Sequence, residues 1–271
     1  PGKVNNTFII FGFLARCFYF QDECSILEQN FEVLSDQMNE YRHNSSEAIQ
    51  RTQPGWFHPR RYYLKMLRKL IEYAIEKHIP NKNGILVDYG CGSMPYKTLF
   101  ETKINSYLGA DLSDNPAIDI HLDAQGKLNY ADSAADILLS TQVLEHVDDP
   151  ELYLQESHRI LKNDGLLLLT THGYWMFHPD PNDFWRWTSS GLKKVVERNG
   201  FEVIDFRGII GRPAMGLQLF QDGLMFNLPS PIKQIFIFIM QIFIHLFDKV
   251  TKQETKNTDA CTFLVVARAK K

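Results

Sequence analysis

The most constraining stretch is Ile85-Leu86-Val87-Asp88-Tyr89-Gly90-Cys91-Gly92. Residues suited to a buried strand run into a carboxylate and then into two glycines spaced by one residue. Glycine has no Cβ, so the backbone can pass close under a ligand there. Met94 to Phe100 is expected to begin a helix with Pro95 in its first turn. Strand, glycine loop and helix start together describe a nucleotide-type site at the carboxyl edge of a parallel sheet. A dinucleotide fingerprint asks for a third glycine, where helix and strand pack closely and the pyrophosphate lies on the helix N-terminus. Pro95 stands at that position, and Asp88 would put a negative charge beside any pyrophosphate. The stretch suits a cationic ligand better.

The rest of the chain gives this edge its setting. Its 271 residues can hold one large domain, or one domain with a sizeable insertion. Hydrophobic residues at 44% and charged ones at 23% are enough for a full core. A net charge of −3 excludes general attraction to nucleic acid. Cys17, Cys24, Cys91 and Cys261 have no metal-type spacing and are too few to staple the chain, which points to reduced thiols in a cytosolic compartment. The start at Pro1 reads as a processed or trimmed end, and apolar residues 8–20 as an anchor remnant or a helix packed on the domain.

From Pro59, Leu64, Leu67, Leu70, Ile71, Ala74 and Ile75 recur at helical spacing, opposite a basic stripe of Arg61, Lys65, Arg68 and Lys69. Residues 106–113 form a short strand that puts Asp111 about 20 positions past the glycines, the spacing at which a carboxylate reaches ribose hydroxyls. Residues 118–124 read as a third strand ending at Asp123, and 135–140 as a fourth. Asp149-Pro150 starts a helix that Lys162 to Gly165 should stop, and Leu166 to Thr171 is the apolar run of a central parallel strand. Alternating strands and helices mean a doubly wound α/β sheet.

Asp136-Ile-Leu-Leu-Ser-Thr-Gln-Val-Leu-Glu-His-Val-Asp-Asp-Pro, followed by Leu154-x-Glu156-x-x-Arg159-Ile-Leu-Lys-Asn-Asp-Gly-Leu-Leu-Leu-Leu-Thr, resembles the fourth and fifth strand segments of the small-molecule branch of class I S-adenosylmethionine-dependent methyltransferases. With the opening motif and Gly109 to Asp111, the resemblance covers roughly residues 85–172; Ser93 and Met94 stand where many members carry a further glycine. It implies a mostly parallel, seven-stranded Rossmann-like sheet with S-adenosylmethionine as cofactor. Asp88 would then bond the methionine amino end, and the loop Gly90, Cys91 and Gly92 would approach methionine and ribose. Asp111, with Leu112 beside it, would take the ribose hydroxyls. Asp123 and Ala124 would border the adenine, and Ser140, Thr141 and Gln142 would lie under the methionyl part.

The loop after the fifth strand, Thr171 to Thr188, concentrates aromatics, two histidines and Arg186 over the same edge. Its His-Pro-x-Pro-x-Asp-Phe-Trp-Arg-Trp-Thr run resembles that of methyltransferases of bacterial surface-sugar and natural-product pathways. Such a loop can stack on a planar or sugar acceptor and place a base near the methyl group. His178 is the first choice for general base, with His172 and His146 next. A metal on His172, His178, Asp180 and Asp183 matches no familiar spacing, so none is expected. Arg186 would pair with an acidic group of the substrate or with Asp183.

Thr188 caps a helix ended by Gly200, residues 201–206 form a sixth strand, and 261–268 form a last one, antiparallel at the far end by resemblance. Between them lies an insertion, residues 207–258. Gln234, Gln241, His245 and Asp248 recur every turn of a helix from 232 to 250, leaving a wide apolar face. The domain, a second subunit or lipid must cover such a face, packing on the domain or on the N-terminal apolar segment being favoured.

The whole describes an N-terminal helical cap (1–80) on a methyltransferase core (81–271). It would methylate oxygen or nitrogen of a small-molecule acceptor, including a sugar or lipid-linked one. No nucleic acid is expected. The setting is cytoplasmic, with peripheral membrane contact or a homodimer through residues 232–250 as the further expectation. The alternative is a non-catalytic binding or assembly module that keeps the fold.

Overall fold

The structure is a computed structural model, and it describes residues 48–79, 84–112, 118–123, 125–179 and 182–271. Expectations for residues 8–20, for most of the cap and for Ala124 fall outside the described residues. Residues 48–271 make one compact unit.

Helix α1 (Arg61–His78) precedes β1 (Ile85–Tyr89) and follows the apolar spacing of the sequence, burying Leu67, Leu70, Ile71, Ala74 and Ile75. Then come α2 (Lys97–Phe100), β2 (Ser106–Asp111), β3 (Ile120–His121), β4 (Ala135–Thr141), α3 (Pro150–Ile160) and β5 (Leu161–His172). Helix α4 (Ser189–Arg198), β6 (Phe201–Ile209), α5 (Arg212–Met225), α6 (Ser230–Asp248), α7 (Gln253–Thr258) and β7 (Thr262–Ala269) complete the chain. The strands form one seven-stranded sheet in the order β3-β2-β1-β4-β5-β7-β6. Pairings from β3 to β5 are parallel, and β7 runs antiparallel to both β5 and β6.

Successive strand residues supply opposite faces, as the pleat dictates. Leu86, Ile137, Leu139 and Leu168 join α1 in one hydrophobic layer, while Val87, Leu138, Leu167 and Leu169 join α3 and α4 residues in the other. Both faces are thus covered, the condition under which parallel strands are apolar throughout.

Several boundaries differ from the sequence expectation. Pro95 is not in a helix: Met94 takes a left-handed φ of 48°, successive turns close at Cys91–Met94 and Met94–Lys97, and α2 starts only at Lys97. Strand β3 is two residues long, because Asp123 instead closes a turn with its side chain on the N–H groups of Gln125 and Lys127. Helix α3 stops at Ile160 rather than near Gly165, since Leu161 already pairs with Ala135 of β4. Strand β7 is antiparallel as expected but lies one place in from the edge, which belongs to β6.

The insertion contains the largest departure. Helix α6 buries Gln241 and Asp248 beside Ile237, Met240 and Ile244, while Gln234, His245 and the apolar Ile235, Phe238, Ile239, Ile242, Phe243 and Phe247 face outward. The domain covers Ile237, Met240 and Ile244 and leaves the rest of the wide apolar face exposed among the described residues; cover by residues 8–20, the other expectation, falls outside them. Gln241 accepts from Tyr62 N and donates to Pro59 O and Gln221 Oε1, each 2.8 Å. Asp248 accepts from Lys256 Nζ at 2.7 Å, Tyr62 Oη at 2.8 Å and Gly211 N at 2.9 Å. Buried polar groups demand partners, so these bonds set the helix's rotation.

Candidate active site

The carboxyl ends of β1, β2, β4 and β5 form the edge at which open α/β sheets bind ligands. Asp88 sits one residue before the end of β1 and is 1% exposed. The Tyr107 hydroxyl donates to its Oδ2, while Oδ1 is buried without a partner among the described residues. Burial raises its pKa to about 7, against the Tyr107 bond and with some help from Asp111. A buried acceptor left open is costly, and a bound donor would satisfy it.

Gly90 and Gly92 both adopt positive φ, 80° and 49°. A Cβ at Gly90 would lie 2.6 Å from Val143, whereas at Gly92 it would meet open space. Asp111 ends β2, and its Oδ2 accepts from Gly92 N at 2.6 Å. Leu112 beside it is exposed, and the Cys91 thiol is buried, which pushes its pKa up. Ser140 is sealed against the Tyr153 hydroxyl at 2.8 Å in the layer beneath, with Thr141 above it at the end of β4. Gln142 takes a left-handed φ of 59° and is pinned from both sides, its Oε1 by the Tyr63 hydroxyl at 2.9 Å and its Nε2 by Thr170 Oγ1 at 3.0 Å. Asp123 is exposed and bonded within its own turn.

The three candidate base histidines converge. The His178 ring stands edge-on to His146 at 4.9 Å between centroids and to His172 at 5.0 Å. His172 is buried, stacks flat on Trp175 at 4.5 Å, and lies 3.1 Å from Thr262 Oγ1 through Nδ1. Burial, followed by the charges of neighbouring groups, holds its pKa well below the usual imidazole range. His178 is partly exposed; its pKa is also lowered, first by burial. Its backbone N–H donates to Asp183 Oδ2 at 2.8 Å. Arg186 binds both oxygens of Asp183 at 2.6 Å, so it pairs within the loop, the simpler of the two options. Burial opposes ionisation of Asp183, but the Arg186 bonds and the His178 N–H hold its pKa at about 2.

Glu145 was not singled out from sequence, although it stands next to His146. It is fully buried, accepts from Thr171 Oγ1 at 2.8 Å, and presents an otherwise unpartnered Oε1 3.4 Å from His172 Nε2. Burial pushes its pKa to about 7. Tyr63 was also missed as a wall residue: its ring meets that of Trp175, one of the loop aromatics expected to line the acceptor site, at 4.5 Å, and the Arg60 guanidinium lies 4.6 Å over Trp175. The adjacent aromatic pair Tyr62-Tyr63 at the start of α1 was the available signal. Glu145, His172 and His178 bring ligand atoms within 4.8 Å of one another, as do His146, His178 and Asp183. His172 and His178, whose pKa values are lowered, stand beside a carboxylate near its titration point and are equipped to accept and pass a proton.

The residues present fit S-adenosylmethionine. The open Oδ1 of Asp88 suits an ammonium, and the space at Gly92 lets a ligand pass close to the backbone.

Residues 57–205 match the family described as "Methyltransferase domain". A Mycolicibacterium smegmatis protein named for S-adenosylmethionine-dependent methyl transfer is 24% identical over 139 residues, 46% of this chain and 54% of its own. The ubiquinone biosynthesis O-methyltransferase of Dinoroseobacter shibae is 27% identical over 183 residues, 52% of this chain and 70% of its own. The chain thus spans about half the length of the mycobacterial relative. Among solved structures, the [4+2]-cyclase SpnF is similar with a TM-score of 0.49 at 19% identity, over 75% of this chain and 80% of that one. A Haemonchus contortus phosphoethanolamine N-methyltransferase is similar with a TM-score of 0.48 at 14% identity, over 82% and 59%.

Proposed function

The chain belongs to the methyltransferase-domain family, and with S-adenosylmethionine as the methyl donor we propose that it methylates an oxygen or nitrogen of a small-molecule acceptor, of sugar or lipid-linked type. The observation that carries this reading is the open, buried Oδ1 of Asp88 beneath the glycine loop, on the same sheet edge as the His146, His172 and His178 cluster. Relatives named for O-methylation favour oxygen among the two atoms.

Bound S-adenosylmethionine supplies an electrophilic methyl group. Asp88 would hold its amino end, Asp111 its ribose hydroxyls, and Gly90 and Gly92 would keep the backbone low beneath it. His178, neutral at physiological pH because its pKa is lowered, takes the proton that an acceptor hydroxyl gives up. Trp175 and Tyr63 offer flat faces against which an acceptor ring can be aligned, and alignment supplies much of the rate in such transfers.

Calorimetric titration with S-adenosylhomocysteine, in parallel with NAD, tests the cofactor. Micromolar binding of the former alone is expected, followed by its production from S-adenosylmethionine in a screen of hydroxyl- and amine-bearing sugars and lipid-linked sugars. No affinity in a folded sample would overturn the reading in favour of a non-catalytic module.

A further inference from the structure

Among the described residues, α6 is the one helix long and apolar enough to cross a bilayer. Its buried bonds through Gln241 and Asp248 hold it instead along the side of the domain, with its apolar face outward. Apolar residues of the preceding helix, Phe220 and Leu224, are exposed too, and exposed Trp56 and Phe57 meet Phe238 at 6.3 and 6.1 Å. Two helices and a loop thus present aromatic and branched side chains to solvent. An apolar surface of this extent on a soluble chain marks an interaction site.

Its border is cationic. Arg61 lies 4.0 Å over the Trp56 ring and Lys65 5.9 Å from it, while Lys233 lies 5.3 Å from the Phe226 ring. His245 on α6 has its pKa lowered first by burial and then by the positive charges of Lys249, Lys69 and Lys65, so these lysines gather at the same border. The acid on the helix, Asp248, is buried and already paired with Lys256. Amphipathic helices with basic flanks lie in the plane of anionic membranes, their apolar faces reaching the acyl boundary. We propose that α6 and its surroundings form a docking surface for the face of an anionic phospholipid bilayer, with Phe238, Ile239, Ile242 and Phe243 entering the interface and Arg61, Lys65, Lys69 and Lys249 meeting the headgroups. The chain lies on the membrane and does not span it. This surface stands apart from the reading of the cleft and is tested without methyl transfer.

The test is sedimentation of the full chain with vesicles of phosphatidylcholine, with and without phosphatidylglycerol. The chain is expected to pellet with the phosphatidylglycerol vesicles and to be released by salt. Ile239→Glu with Phe243→Glu should abolish pelleting. Lys65→Gln with Lys69→Gln should weaken it by about five-fold per lysine. All four side chains are exposed, so the variants should melt with the wild type. A wild-type chain that stays in solution with anionic vesicles overturns the proposal, whether the face proves to be covered by a second copy in sedimentation velocity or by residues 1–47. Equal pelleting of the Ile239→Glu, Phe243→Glu variant overturns it too, by placing the contact elsewhere.

Discussion

Nε2 of His172 lies 3.4 Å from the Glu145 carboxylate, and both side chains are sealed from solvent below the histidine cluster. Burial raises the pKa of the acid to about 7 and holds that of the imidazole well below its usual range, so the pair gives one ionisation near neutrality. Glu145→Gln keeps an acceptor for Thr171 and removes that ionisation. Once an acceptor is in hand, the variant's kcat against pH should lose its inflection near pH 7, with affinity for S-adenosylhomocysteine within about two-fold of wild type. An unchanged profile would separate Glu145 from the chemistry.

Asp88 couples cofactor binding to pH. An ammonium favours the ionised carboxylate, whereas the free site holds a proton below about pH 7. Affinity for S-adenosylhomocysteine should therefore fall as pH drops, approaching ten-fold per unit, and calorimetry near pH 6 should register proton release on binding. Asp88→Asn should cost at least about a hundred-fold in affinity.

The same shift acts on stability, with the opposite tendency from a salt-bridged acid. The folded-state pKa lies above the ordinary value of 3.8, so the group's stabilising contribution is full below that value and is lost as pH rises to about 7. Asp88→Asn should flatten this slope and raise Tm at pH 8 by about 5 °C, read by differential scanning calorimetry in the absence of ligand.

His178 is part-exposed to solvent and stands between His146 and the buried His172. His178→Ala should lower kcat by about a hundred-fold or more for a hydroxyl acceptor. Affinity for S-adenosylhomocysteine should remain. An amine acceptor that is already neutral would be spared, so the contrast between the two acceptor types reads the base role directly.

Asp248 anchors α6 through Lys256, Tyr62 and Gly211 while 1% exposed. Asp248→Ala leaves the Lys256 ammonium buried without its counter-charge, a loss of about 3 kcal/mol or more. Thermal melts should show Tm lower by roughly 6–12 °C. A change under 2 °C would show that the inward polar stripe does not hold the helix.

Much of the sheet was legible because period-2 and continuous apolar runs leave few alternatives for Leu86-Val87 or Leu167-Leu168-Leu169. The glycine loop was legible too, since only glycine tolerates both positive φ and a passing ligand. What escaped depends on distance across the fold. Glu145 gains its role from His172, 27 positions on, and Tyr63 from Gln142, 79 positions on; nothing local marks either. The orientation of α6 escaped for a different reason. Periodicity identifies a wide apolar face but not which part of it turns inward, and here Ile237, Met240 and Ile244 go in together with the hydrogen-bonded Gln241 and Asp248.

The antiparallel pairing of β6 and β7 brings Ile209 opposite Thr262, so both ends of the intervening segment leave the sheet at one place. For such a connection, closure entropy grows only with the logarithm of length, about 0.6 kcal/mol per doubling. Helices can be added or removed there without shifting the strands that carry the glycine loop. The chain therefore has a port at which its habitat could change in evolution while its chemistry stayed the same.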